Sequence, residues 1–144
     1  MQIRRATPDD IPAMHRVRRA VRENALQDHS RVQPADYEKL LAGTGQGWVA
    51  LVGDRLVGFG IANAANRNVW ALFVDPDFEG RGIGRRLHDE LLEWLFGLGP
   101  EPAWLTTEPG TRAEQFYRVA GWQDAGPAPG GDRRLEFHRF DDEA

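Results

Sequence analysis

Three glycines at alternate positions, Gly80, Gly82 and Gly84, separate a six-residue apolar run, Val69-Trp70-Ala71-Leu72-Phe73-Val74, from a long amphipathic segment. A run apolar on both faces reads as a central, buried strand. After the glycines, Ile83, Leu87, Leu91, Trp94, Leu95 and Leu98 form one stripe of a helix. Arg85, Arg86, Asp89, Glu90 and Glu93 form the other, with Arg85–Asp89 and Arg86–Glu90 at i,i+4 spacing. A glycine loop entering a helix lets a ligand approach the main chain, and the first turn offers unpaired N–H groups at the positive end of the dipole. That combination suits an anion, above all a phosphate, and Arg81, Arg85 and Arg86 add positive charge around it. The spacing restricts which phosphate. A dinucleotide fingerprint, G-x-G-x-x-G, begun at Gly80 would need glycine where Arg85 stands, and a P-loop needs a lysine, of which Lys39 is the only one.

The rest of the chain alternates periods. Ile3 to Ala6 predicts a short strand, Thr7-Pro8-Asp9-Asp10 a helix start, and Ile11, Met14, Val17 and Val21 an amphipathic helix over residues 8–23. Pro34 opens a second helix with Tyr37, Leu40 and Leu41 on its apolar face, ending at Gly43. Strands at 48–52 and 56–61 flank Gly53-Asp54 as an antiparallel hairpin. Beyond the long helix come a strand at 104–107, a helix from Thr111 to Ala120 closed by Gly121, a Gly/Pro loop at 127–132, and a last strand at 134–140. Residues 141–144 read as a frayed tail. The order predicts one α+β domain over residues 1–144, a mixed sheet with helices on its faces.

Composition excludes several classes of function. With 41% hydrophobic and 28% charged residues the chain is globular. No apolar run nears the roughly 18 residues that span a bilayer, and no apolar leader follows Met1, so a cytoplasmic protein without a membrane partner is expected. A net charge of −4 does not favour a nucleic-acid surface. The absence of cysteine removes disulfides, thiolate metal sites and a cysteine nucleophile, and no His and carboxylate pair has metal-ligand spacing.

Two motifs resemble one family. Val74-Asp75-Pro76-x-x-Glu79-Gly80-Arg81-Gly82-Ile83-Gly84 is similar to the acetyl-coenzyme A signature of the GNAT N-acetyltransferases, and Phe116-Tyr117-Arg118-Val119-Ala120-Gly121-Trp122 to their second hallmark, F-Y-x-x-x-G-F/W. The element order matches along nearly the whole chain. One departure is Glu79, where the family carries Gln or Arg, so its carboxylate must point away from the pyrophosphate. The resemblance implies a mainly antiparallel central sheet with helices on both faces and splayed central strands. It implies that backbone N–H groups from Arg81 to Arg86, including Ile83 and Arg85, cradle the pyrophosphate, with Gly80, Gly82 and Gly84 allowing close approach. The strand carrying Leu72, Phe73 and Val74 would diverge from the Trp104 strand and admit the pantetheine arm, with an N–H near Val74 facing the thioester oxygen and Phe116 packing around the arm.

The implied reaction moves acetyl from acetyl-CoA directly to a primary amine of a small molecule or, as the lesser alternative, of a peptide or protein. A homodimer is compatible with the family pattern. An alkylamine with a pKa of about 10.4 is less than about one part in a thousand neutral at pH 7, which leaves a barrier of about 4–5 kcal/mol for a base or desolvation to remove. Tyr117 is the expected general acid toward the leaving thiolate. The glutamate that many members carry on the central strand is replaced by Trp70, so a base must come from elsewhere. A water relay, Glu23 or His29 would serve, with Glu108 beyond the strand end as another candidate; Glu23 is the residue assigned as base, and Glu23, His29 and Trp70 are candidate acceptor-wall residues. His15 and His88 read as satisfied or surface side chains on helices. The missing strand carboxylate also admits a non-catalytic acyl-CoA sensor.

Overall fold

The structure, a computed structural model, describes residues 1–21 and 32–139. Strands β1 (Gln2–Arg5), β2 (Gly45–Val52), β3 (Arg55–Asn63), β4 (Asn68–Val74), β5 (Ala103–Thr107), β6 (Gln123–Pro127) and β7 (Arg133–Phe137) form one seven-stranded sheet in the order β1-β2-β3-β4-β5-β7-β6. Every neighbouring pair is antiparallel except β4 and β5. Helices α1 (Ile11–Ala20) and α2 (Pro34–Ala42) cover one face, and α3 (Ile83–Leu98) and α4 (Arg112–Ala120) the other.

Alternation along the strands assigns the two cores. Val49, Phe59 and Ile61 bury against Met14 and Val17 of α1 and Tyr37 of α2. Trp48, Ala50 and Val57 bury against Leu87, Leu91 and Leu95 of α3, each of which contributes about 1.5–3 kcal/mol by leaving water. α3 lies close on β3 because Gly60 has no side chain: a Cβ there would stand 2.9 Å from Leu91 Cδ2. Hydrophobic contact and close approach together fix where the first turn of α3 points.

The ends of α3 are built differently. At its C-terminus Arg67, itself at φ +67°, donates from Nη1 to Leu95 O at 2.7 Å and from Nη2 to Gly99 O at 3.0 Å and Glu101 O at 2.5 Å. A cation on the carbonyl end of a helix is electrostatically favourable. Asp75 ends β4: its N–H donates to Val57 O at 2.8 Å, while its buried carboxylate accepts from Asp77 N–H at 3.0 Å and Arg55 Nη2 at 3.1 Å.

Four expectations about local structure need correction. The first helix is shorter: Pro8–Asp10 forms a 3-10 turn, α1 ends at Ala20, and Val21 is already extended. The Arg86–Glu90 pair does not form; Arg86 turns to Met1 Sδ at 3.8 Å, whereas Arg85 Nε does donate to Asp89 Oδ1 at 3.1 Å. β6, a polar and largely exposed edge strand, occupies a stretch for which the sequence predicts no element and meets the expected Gly/Pro loop only at Pro127. The last strand ends at Phe137, and residues 140–144 lie outside the described residues.

Candidate active site

β4 and β5 are pinned at one end and open along the rest. They share one register pair, Asn68 with Trp104. Around it Trp104 N–H donates to Arg67 O at 3.1 Å, Trp104 Nε1 to Asn66 O at 2.8 Å, and Asn68 Nδ2 to Trp104 O at 3.2 Å. Beyond this apex the strands diverge around a cavity of about 600 Å³, a size suited to a small-molecule site. Leu72, Phe73 and Val74 form its β4 wall and Leu105 to Glu108 its opposite wall. This explains why a central strand keeps three half-buried apolar residues at its end.

The wide end meets the first turn of α3. Gly80 and Gly82 sit at φ +76° and +79°, in the left-handed region that favours glycine, and both line the cavity. Arg86 N–H is the first to enter the helix ladder, donating to Gly82 O at 3.2 Å. The N–H groups of Ile83, Gly84 and Arg85 precede it, and all three residues line the cavity. Of the expected run Arg81 to Arg86, Gly82, Ile83, Gly84 and Arg85 line the cavity. Arg81 stacks on Phe78, 4.9 Å from the ring centroid, and neither it nor Arg86 lines the cavity. Glu79 lines the cavity and is paired: Arg112 Nη1 of α4 donates to its Oε2. That ion pair offsets the negative charge the sequence places beside the anion site.

The second motif builds an aromatic support. Thr111 Oγ1 accepts from Glu114 N–H at 3.2 Å and opens α4, while Glu114 Oε1 accepts from Gly110 N–H at 2.9 Å. Phe116 and Tyr117 meet edge-on at 5.3 Å, and Tyr117 contacts Trp122 at 5.6 Å. Trp122 Nε1 donates to His88 Nε2 at 2.9 Å, so that nitrogen carries no proton, and Nδ1–H of the same ring meets Asp89 Oδ1 at 2.9 Å. His88 is thus a satisfied core side chain, and its burial holds its pKa below the ordinary value. Tyr117 lines the cavity at 7% exposure, and burial pushes its phenol far above the ordinary value. Its hydroxyl has no hydrogen-bond partner among the described residues.

Comparison with known proteins follows the same lines. The acetyltransferase (GNAT) family profile matches residues 11–122. The chain belongs to the GNAT family. Among curated relatives it is 36% identical over 94 residues to mycothiol acetyltransferase of Propionibacterium freudenreichii subsp. shermanii, covering 58% of this chain and 30% of that protein. It is 35% identical over 80 residues to peptidyl-lysine N-acetyltransferase YjaB of Salmonella typhimurium, covering 55% of this chain and 51% of that one. The chain thus spans about half or less of the length of these relatives. The crystal structure of PaiA N-acetyltransferase from Thermoplasma acidophilum in complex with coenzyme A shares the fold, with a TM-score of 0.74 at 15% identity, covering 96% of this chain and 99% of that one.

Within this GNAT fold the remaining candidates separate. Trp70 lines the cavity at its β4 wall, where it meets Tyr37 edge-on at 5.2 Å. Glu23 and His29 lie outside the described residues. Glu108 lines the cavity together with Asp132, whose carboxyl is pushed up by burial and by the neighbouring Glu108 charge. His15 Nδ1 pairs with the Tyr37 hydroxyl at 3.1 Å, away from the wedge. Among the described residues no cluster of His and carboxylates could hold a metal ion, and no helix is long and apolar enough to cross a membrane. Sequence reasoning missed Asp132, Arg112 and Arg18 as cavity residues. Only Arg18 had a local signal: it lies one turn after Met14 on the buried stripe of α1.

Proposed function

We propose that this GNAT protein is an acetyl-CoA-dependent N-acetyltransferase acting on a primary amine of a small molecule, with a peptide or protein amine as the lesser alternative. The single observation that carries the reading is the open wedge between β4 and β5 with the free first turn of α3 at its mouth. The residues fit the cosubstrate: two left-handed glycines and the first-turn residues Ile83, Gly84 and Arg85 line a cavity of about 600 Å³. When bound, acetyl-CoA supplies an activated thioester and a thiolate leaving group.

The chain's own groups then divide the work. The Ile83, Gly84 and Arg85 N–H groups receive the diphosphate, and helix-end charge favours it. The edge of β4 beyond Asn68 has no strand partner among the described residues, so its main-chain groups pair with the arm. A backbone N–H aimed at the oxyanion is typically worth about 3 kcal/mol. Tyr117, held protonated by its buried setting, hydrogen-bonds the departing sulfur from its hydroxyl. Glu108 and Asp132 serve the amine: burial, and then the Glu108 charge, raise the proton affinity of Asp132. No cysteine exists to carry acetyl, so transfer is direct.

Release of CoA, followed across a panel of small amines and lysine peptides beside calorimetric binding of CoA, tests this. Turnover on at least one amine is expected. CoA binding with no turnover on any amine would instead favour an acyl-CoA sensor, the reading that Trp70 in place of a carboxylate would suit.

A further inference from the structure

Arg18 is a cation with no carboxylate paired to it among the described residues. It projects from α1 into the cavity wall, its guanidinium 5.1 Å from the Trp70 ring centroid and 4.9 Å from that of Phe73. Among the described residues it forms no ion pair, and its Nη1 is shut off from solvent without a hydrogen-bond partner. Two groups act on its charge. The Tyr37 hydroxyl hydrogen-bonds to Arg18 as well as pairing with His15, but it is neutral, its pKa raised by burial against the opposing pull of Arg18. Asp36 Oδ2 accepts from Gln33 N–H at 2.7 Å as a cap of α2. An unsatisfied donor on a partly buried cation is costly, and the aromatic faces offset that only in part.

Position makes this functional. Trp70 stands where many relatives carry a strand carboxylate. Here that wall presents an aromatic shelf with a guanidinium lying over it. A planar fork against flat rings matches a planar, bidentate anion. The anionic diphosphate has its own site at the other end of the wedge, on α3, and among the described residues no carboxylate is paired with Arg18, which leaves its charge for an anion carried by the acceptor.

Resting on the transferase reading above, we propose that Arg18 is the anchor for a carboxylate carried by the amine acceptor. The substrate class is therefore an amino acid or a similar amino-carboxylate. Its carboxylate takes the N–H donors that Arg18 offers besides the shut-off Nη1, its apolar portion lies on Trp70 and Phe73, and its amine reaches the thioester. Arg18 positions the acceptor and takes no part in proton transfer.

The test uses matched acceptors, a series of α- and ω-amino acids each beside its carboxamide, with wild type, Arg18→Gln and Arg18→Lys. Charge-assisted hydrogen bonds of about 1.5–3 kcal/mol predict a preference of roughly 10- to 150-fold in kcat/KM for the acid over its amide. Arg18→Gln should collapse that ratio by raising KM for the acids, with kcat changing little. Arg18→Lys should restore it only in part, because the ammonium lacks the fork. Calorimetric CoA binding and a thermal melt establish that each variant is folded, and Arg18→Lys carries the test should Arg18→Gln unfold. Calorimetry of the same acids and amides on CoA-loaded protein gives a readout that needs no turnover. Turnover without a preference for the acids, or an equal loss for acid and amide in Arg18→Gln, overturns the anchor and leaves the transferase standing. Acid binding that Arg18→Gln abolishes, with no turnover on any amine, leaves the anchor and overturns the transferase.

Discussion

Replacing Gly82 by alanine, beside the same change at Gly53, isolates what the glycine loop does. Both glycines are left-handed, at φ +79° and +60°, and a Cβ on either meets no heavy atom within 4 Å. The backbone penalty is therefore the same kind at each, about 1–2 kcal/mol for a non-glycine residue in that region. A change of that size lowers Tm by about 2–8 °C in a chain of this length. The two sites differ in what lies beyond the missing side chain. Gly53 turns the β2–β3 hairpin, and Gly82 borders the cavity at the first turn of α3. A methyl group at Gly82 stands where the diphosphate approaches the Ile83 and Gly84 N–H groups. Loss of one such charge-assisted bond, about 1.5–3 kcal/mol, weakens CoA binding by roughly 10- to 150-fold. Thermal melts and calorimetry with CoA read both quantities. Similar melting losses with weaker CoA binding only in Gly82→Ala are expected. Unchanged affinity in Gly82→Ala, or equal weakening in Gly53→Ala, would refute the placement of the diphosphate.

Other predictions address other parts of the molecule. Tyr117→Phe should lower kcat by about 10²-fold or more while leaving CoA affinity near wild type, as transfer kinetics and calorimetry would show; full activity would remove its role as proton donor. Arg67→Ala removes three bonds to carbonyls at the end of α3 and loosens the apex of the wedge, costing about 2–4 kcal/mol by denaturant unfolding. Stability should fall with pH in two stages in a melting series. Burial holds His88 below its ordinary pKa of about 6.5, so the folded state binds fewer protons there and loses stability as pH falls through that value. Asp10, lowered by its bond to Arg4, and Asp124, lowered by Arg133 and the Gly126 N–H, contribute stability that is present above about pH 4 and lost below it. A flat profile from pH 7 to 3 would contradict both stages.

What the sequence reveals depends on how local its physical cause is. β4, α3 and α4 are legible because apolar periodicity, alternate glycines and the T-x-x-E cap act within a few residues. The need to offset the Glu79 carboxylate beside an anion site is legible, but the partner that does so, Arg112, lies 33 positions on. Arg67 closes the narrow end of the wedge across a comparable separation, and nothing near it in the sequence announces the role. Asp132 and Glu108 meet only because β5 and β7 are neighbours in the sheet. β6 is missed because Gln123 to Pro127 has no apolar alternation, being exposed at the sheet edge where pairing alone defines the strand. Arg18 was readable in principle, as an arginine on the buried stripe of α1. Its meaning needs Trp70 and Phe73, which reach it only through the fold.

A crystal structure of the protein with CoA tests the central claim most directly. The account predicts diphosphate oxygens within hydrogen-bonding distance of the Ile83, Gly84 and Arg85 N–H groups and the pantetheine arm lying between β4 and β5. CoA bound elsewhere on the molecule, or β4 and β5 paired through residues 69–74 with no arm between them, would contradict it.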